Sequence, residues 1–267
     1  MWSDALFGAQ DAETAEGLIP HGRVARAMGV AAWFAGPTER YGHGVLGDEI
    51  EAESLVVARG GRTFAHSLPA DSVFEDLEPR ILDLDRDGAP EILAIKSYRD
   101  AGATIALYGL RDGGLAPLAE APPIGTAFRW LNPAGAADYD GDGALEIAVV
   151  QTPHIGGELI HYAWDGGPVL SEERRVFGYS THRIGSTVLA MSTTLDWNGD
   201  GRPDLLLPRQ NRAVLAVVTV IDGRFRELAH FAHDAEIATP LLKDGEGVVY
   251  GLEDGTVWRL PIRTTDN

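Results

Sequence analysis

Three stretches of this chain repeat one nine-residue pattern: Asp83-Leu-Asp-Arg-Asp-Gly-Ala-Pro-Glu91, Asp138-Tyr-Asp-Gly-Asp-Gly-Ala-Leu-Glu146 and Asp196-Trp-Asn-Gly-Asp-Gly-Arg-Pro-Asp204. Each carries an oxygen-bearing side chain at positions 1, 3, 5 and 9, and Gly at position 6. Alternate residues of such a loop can turn their oxygens inward. The Gly permits the sharp turn, and the closing carboxylate completes an oxygen shell for a hard cation. Ordinary solvated Asp-Gly turns do not require the acid at position 9. Three copies therefore point to cation-binding loops, with Asp83, Asp85, Asp87 and Glu91 in the first, Asp138, Asp140, Asp142 and Glu146 in the second, and Asp196, Asn198, Asp200 and Asp204 in the third.

Spacing excludes an EF-hand, which needs a bidentate Glu at position 12 and a helix on each side. Position 12 here is Ala94, Val149 or Leu207. Pro90 and Pro203, at position 8, disfavour a helical residue before them. The apolar runs after each loop (Ile-Leu-Ala-Ile, Ile-Ala-Val-Val, Leu-Leu-Leu-Pro) are short and bounded by turn residues, the mark of buried strands. The predicted unit is an acidic loop feeding a strand.

The loops begin at 83, 138 and 196, in steps of 55 and 58 residues. In a chain with 32 glycines, such a period predicts propeller blades. Strands are expected over 91–97, 146–152 and 204–209, then over 103–110, 158–165 and 213–221. Asp-Gly turns follow at Asp112, Asp165 and Asp222. Two worn copies flank the three. Asp244-Gly245 with Val248 to Leu252 matches the loop and its strand, and Leu55 to Phe64 reads as strand, turn, strand. The prediction is an all-β, five-bladed propeller over 21–267. The segment Gly22 to Ala35 is expected to complete the short last blade and so close the ring. Residues 1–20 read as a loose acidic leader.

A loop of the form Asp-x-Asp-x-Asp-Gly-x-x-Glu/Asp before a strand, repeated at blade spacing, resembles the FG-GAP/VCBS repeats of integrin α-chain propellers. Gly125-Thr-Ala-Phe-Arg-Trp130 and Gly185-Ser-Thr-Val188 resemble a weakened Phe-Gly-to-Gly-Ala-Pro portion. The resemblance implies a propeller holding about three structural calcium ions, with the carbonyls of Ala89, Ala144 and Arg202 as further ligands. Asn198 removes one charge from the third loop, which is expected to bind most weakly.

A formal charge of −18 argues against nucleic acid, whose binding depends on neutralising phosphates. The loops account for 11 of the carboxylates. There is no Cys, hence no disulfide or thiol chemistry, and no apolar run long enough to span a membrane. Calcium sites of this kind suit a periplasmic or secreted protein, where the ion is abundant.

Signatures of nucleophile elbows, phosphate-binding loops and dinucleotide sites are missing from the sequence. His230 and His233 lack the Glu of a zinc-protease helix and read as an edge or loop pair. Basic and aromatic residues do gather before the repeat units: Arg40, Tyr41 and His43; Arg129 and Trp130; Tyr179, His182 and Arg183. Converging on one face, they would suit a carboxylate, sugar or peptide. Two functions follow. One is a non-enzymatic module binding a protein or carbohydrate ligand. The alternative is a carbohydrate-active enzyme, lyase- or dehydratase-like, using Arg, His and Tyr on a uronate-type substrate. The second requires His43, His182 and Tyr179 in one deep cleft.

Overall fold

Paired left-handed residues set the hairpins. Asp112-Gly113 (φ 50° and 81°) joins β8 (Gly102–Arg111) to β9 (Gly114–Glu120), and Asp222-Gly223 (φ 52° and 69°) joins β16 (Val214–Ile221) to β17 (Arg224–Ala232). Two consecutive positive φ angles give a turn whose twist matches the flanking strands. Asp165-Gly166-Gly167 departs from this expectation. There, β12 (Glu158–Ala163) and β13 (Ser171–Phe177) are joined by the longer connection 164–170, where Trp164 Nε1 donates to Gly167 O at 2.7 Å. Pro168, with no N–H, cannot extend the ladder through this segment.

The structure, a computed structural model, describes residues 15–263, and among these every regular element is a β-strand. The strands form five antiparallel units in chain order. The first is β1 (Ala25–Ala27), β2 (Val30–Thr38), β3 (Glu51–Arg59) and β4 (Arg62–Ser67). The second is β6 (Arg80–Leu82), β7 (Glu91–Tyr98), β8 and β9, and β5 (Ser72–Phe74) pairs with both β3 and β7 to stitch the two units together. The third runs β10 (Leu131–Ala137), β11 (Glu146–Gln151), β12, β13; the fourth β14 (Thr193–Leu195), β15 (Asp204–Pro208), β16, β17. The fifth has three strands: β18 (Leu242–Lys243), β19 (Gly247–Gly251) and β20 (Val257–Pro261).

The strands expected after each acidic loop are therefore β7, β11 and β15. A further strand precedes each loop (β6, β10, β14), so a full unit has four. The segment Gly22 to Ala35 does not complete the fifth unit. It supplies β1 and the start of β2, which pair with each other and with β3 in the first unit. The cause is local: Met28-Gly29 (φ 51° and 73°) makes a tight hairpin, and β2 then matches β3 from Val30–Arg59 to Thr38–Glu51. The expected leader falls outside the described residues up to 14. Beyond it, Leu18 bridges Ala35, and Ala15 and Leu18 pack on Trp33 and Val56.

Strands buried on both faces explain the continuous apolar runs. Along β11, Ile147 and Val149 join a cluster with Leu93, Ile105 and Phe74, whereas Ala148 and Val150 face Leu205, Leu207 and Val218. Leu206 on β15 turns the other way, with Val217, against Val248 and Tyr250 of the fifth unit. Each sheet thus packs on the next through alternate side chains. Connections between first and second strands of a unit lie at one end of the sheets. Those between second and third strands lie at the other, because neighbouring strands are antiparallel. At that second end the 39–50 connection folds inward. Val45 and Leu46 are buried, and Val45 O accepts from Gly185 N at 2.8 Å, so the first unit touches the approach to the fourth.

Candidate metal centre and the opposite loop face

All three acidic loops join the first and second strands of their units, and one hydrogen bond recurs in each. The closing carboxylate accepts from the amide of the loop's second residue: Leu84 N to Glu91 Oε2 at 2.9 Å, Tyr139 N to Glu146 Oε2 at 2.8 Å, Trp197 N to Asp204 Oδ2 at 3.0 Å. These carboxylates are the first residues of β7, β11 and β15 and are buried. The position-1 Asp is a turn acceptor: Gly88 N donates to Asp83 Oδ1 at 3.3 Å, Gly143 N to Asp138 Oδ2 at 3.0 Å and Gly201 N to Asp196 Oδ2 at 2.8 Å. The position-6 glycines have φ of 82°, 96° and 87°, as the turn requires.

Carboxylate oxygens of Asp138, Asp140, Asp142 and Glu146 all lie within 4.8 Å of one another, as do those of Asp83, Asp85 and Glu91. Such groups could hold a metal ion. Two buried oxygens point to what they lack. Glu91 Oε1 and Asp204 Oδ1 have no hydrogen-bond partner, although the second oxygen of each carboxylate has one. A buried carboxylate oxygen without a partner is costly, and a cation on the loop side would satisfy it. Burial, with Asp85 and Asp87 adding like charge, pushes Glu91 up to about 7, and burial likewise takes Glu146 to about 7. Hard, anionic, all-oxygen donor sets of this kind fit a hard cation rather than a soft metal.

At the opposite end the structure brings together Tyr41, His43, Trp130 and His182, adding three residues that the sequence reading did not place in a binding face: Glu75, Phe128 and His154. Trp130 Nε1 donates to Glu75 O at 3.0 Å. Glu75 Oε1 lies 2.5 Å from His43 Nδ1, and Ser97 Oγ donates to the other oxygen. Burial raises the Glu75 carboxyl, and His43 pulls the other way. His154 stacks on Trp130, and His154 Nε2 lies 2.9 Å from His182 Nδ1. Burial lowers His154 to about 4 and His182 to about 3, so both rings are neutral. His182 Nε2 faces Ser186 O at 2.8 Å and must donate there, which leaves its Nδ1 as an acceptor. His154 therefore donates from Nε2. Tyr41 OH accepts from Phe128 N at 2.9 Å, and their rings stack at 5.1 Å.

The other expected residues lie apart from this cluster. Arg40 bonds Ser72 O and Glu53, Tyr179 bridges Arg209, and Arg183 pairs with Glu253. Arg129 donates to the carbonyl of its neighbour Phe128 at 3.1 Å. Tyr41, Trp130, Tyr179 and His182 are buried, whereas Phe128 is 48% exposed. His230 bonds Glu227 and His233 faces Tyr250 OH, so they form no joint site. Phe128 was legible only as part of the 125–130 stretch and as the neighbour of Arg129; His154 had no signal.

The decisive comparison falls on the loops themselves. Residues 83–149 match the family model of the FG-GAP-like repeat. This stretch is similar to the FG-GAP-like repeat. The FG-GAP-like match contains the first two acidic loops and the strands between them, two of the three loops on which the resemblance rested. No curated protein matches the chain at a significant level. Among the described residues, no helix is long and apolar enough to cross a membrane.

Proposed function

We propose that this chain is a calcium-stabilised, extracytoplasmic five-bladed propeller that binds a protein or glycan through the loop face opposite its acidic loops. The buried oxygens of Glu91 and Asp204 that accept no hydrogen bond carry the calcium half of this reading. Without an ion, four oxygens crowded into nine residues repel one another and strain the first residue of the following strand. A bound calcium would be held by the side chains at positions 1, 3, 5 and 9 and the carbonyls of Ala89, Ala144 and Arg202. It would supply the positive charge those carboxylates lack.

The binding half rests on the other face. Phe128, Ile155 and Ile184 are exposed there at 48%, 65% and 63%, and exposed apolar groups among polar neighbours suit a contact surface. Three residues in connections at this end of the sheets hold positive φ: Phe128 at 55°, Thr152 at 47° and Arg212 at 51°. Strain of this kind persists where the surroundings over-determine it, and it clusters at functional sites. Burial of His182 and Tyr179 disfavours the enzyme reading, which needs both open to substrate.

Elemental analysis with calorimetric melting in calcium and in excess chelator tests the first half. Bound calcium and a lower melting temperature in chelator are expected; an unchanged melt with no bound metal sinks it. A glycan array probed with and without calcium tests the second. Phe128→Ala and Arg129→Ala are expected to lose any signal, and a signal untouched by both excludes this face.

A further inference from the structure

The acidic loops share one pattern, yet they carry different counter-charge. In the second loop, the Arg174 guanidinium from β13 donates to Asp140 Oδ2 at 2.6 Å and to Glu173 Oε2 at 3.0 Å, with its side chain only 10% exposed. Asp140 is position 3 of that loop, one of the four oxygens turned toward a cation. The first loop has a looser arrangement. Arg111 stands 3.6 Å from Glu91 Oε1, outside hydrogen-bond reach. In the third loop, no ion pair to Asp196, Asp200 or Asp204 occurs among the described residues.

A second guanidinium reaches the second loop from its neighbour. Arg202 belongs to the third loop but lies over Gly141. A Cβ placed there would come within 3.3 Å of Arg202 Nε and 3.4 Å of its Cζ. Two guanidinium groups, one from the outer strand of the same unit and one from the next loop, therefore crowd the second loop. The first has only the looser Arg111, and the third has Arg263 over the Trp197 ring and away from hydrogen bonds to its carboxylates.

We propose that Arg174 and Arg202 are built-in counter-cations of the second loop, competing there with a divalent ion, so that this loop fills last and exchanges first. This rests on the calcium reading above. A cation entering the second loop must take Asp140 from Arg174 or share its oxygen, and it also meets the charge of Arg202. Charge-assisted hydrogen bonds are among the stronger ones to break. The order reverses the one read from composition, in which Asn198 made the third loop weakest. The third loop has one carboxylate fewer, but no guanidinium bonds to the carboxylates it keeps.

Calorimetric titration of calcium into the metal-stripped full chain tests this with wild type, Arg174→Gln, Arg202→Gln and Asp138→Asn. Wild type should show a weakest class of site that Asp138→Asn removes. Arg174→Gln should tighten that class about tenfold and Arg202→Gln by a smaller factor, with the other sites unchanged. Should Arg174→Gln lose its cooperative melt, Arg202→Gln decides alone. A weakest site that survives Asp138→Asn, or that neither arginine variant tightens, overturns the inference while the calcium reading stands. A wild type that takes up no calcium overturns both.

Discussion

The backbone amide of Tyr139 donates to Glu146 Oε2 across 2.8 Å, so the carboxylate that closes the second loop is also the first residue of β11. The candidate cation site and the start of a core strand thus share one side chain. In the metal-free protein, burial holds Glu146 near 7 against an ordinary 4.5. A folded-state value above the unfolded one means that the stability this group contributes is present below about 4.5 and lost as pH rises through about 7. Glu146→Gln keeps an oxygen for the Tyr139 amide and removes the charge. In chelator at neutral pH the variant is expected to melt at or above wild type, and in calcium below it. A lower melt in chelator would mean that the carboxylate stabilises the fold without an ion.

His154 and His182 act in the opposite sense. Their folded values, about 4 and about 3, lie below the ordinary 6.5, because burial disfavours the imidazolium. The unfolded chain then binds more protons, so their contribution is complete above about 6.5, declines below it, and is lost as pH falls through about 4 for His154 and about 3 for His182. Histidine NMR should find both rings neutral between about pH 7 and about pH 5. Titration of either ring in that window, in the folded protein, would contradict the buried pair.

Gly157 is packed against the backbone of the neighbouring unit. A Cβ there would overlap Tyr179 O, and Gly157 O already accepts from Gly178 N at 2.8 Å. Gly157→Ala is expected to cost about 1–3 kcal/mol as an overpacked contact. Urea unfolding measures it; a cost below about 0.5 kcal/mol would place the two connections farther apart than the structure does.

Leu207 occupies the place of an EF-hand's last ligand, but it is fully buried between the third and fourth units. Leu207→Ala should cost about 2–5 kcal/mol in chemical denaturation. A near-neutral result would remove this residue from the core.

Sequence alone determined the acidic loops, the strands after them and two of the tight Asp-Gly hairpins. These depend on turn chemistry and side-chain alternation within about ten residues, where the physics is local. Strand β10 was harder to see, since Leu-Asn-Pro-Ala-Gly-Ala-Ala has neither alternation nor β-branched residues, and its pairing with β11 makes it a strand. Only the tertiary structure decided which unit receives Gly22 to Ala35, because a tight hairpin and the long match to β3 claim that segment. It also set Trp130 between Glu75, His154 and His182, residues 55, 24 and 52 positions away. The same holds for the two arginines at the second loop. Arg174 lies within β13 and Arg202 in the loop before β15, and nothing in a nine-residue pattern encodes what an outer strand or a neighbouring loop lays across it. Local hydrogen bonding writes the loop; sheet-on-sheet packing selects the charges that surround it.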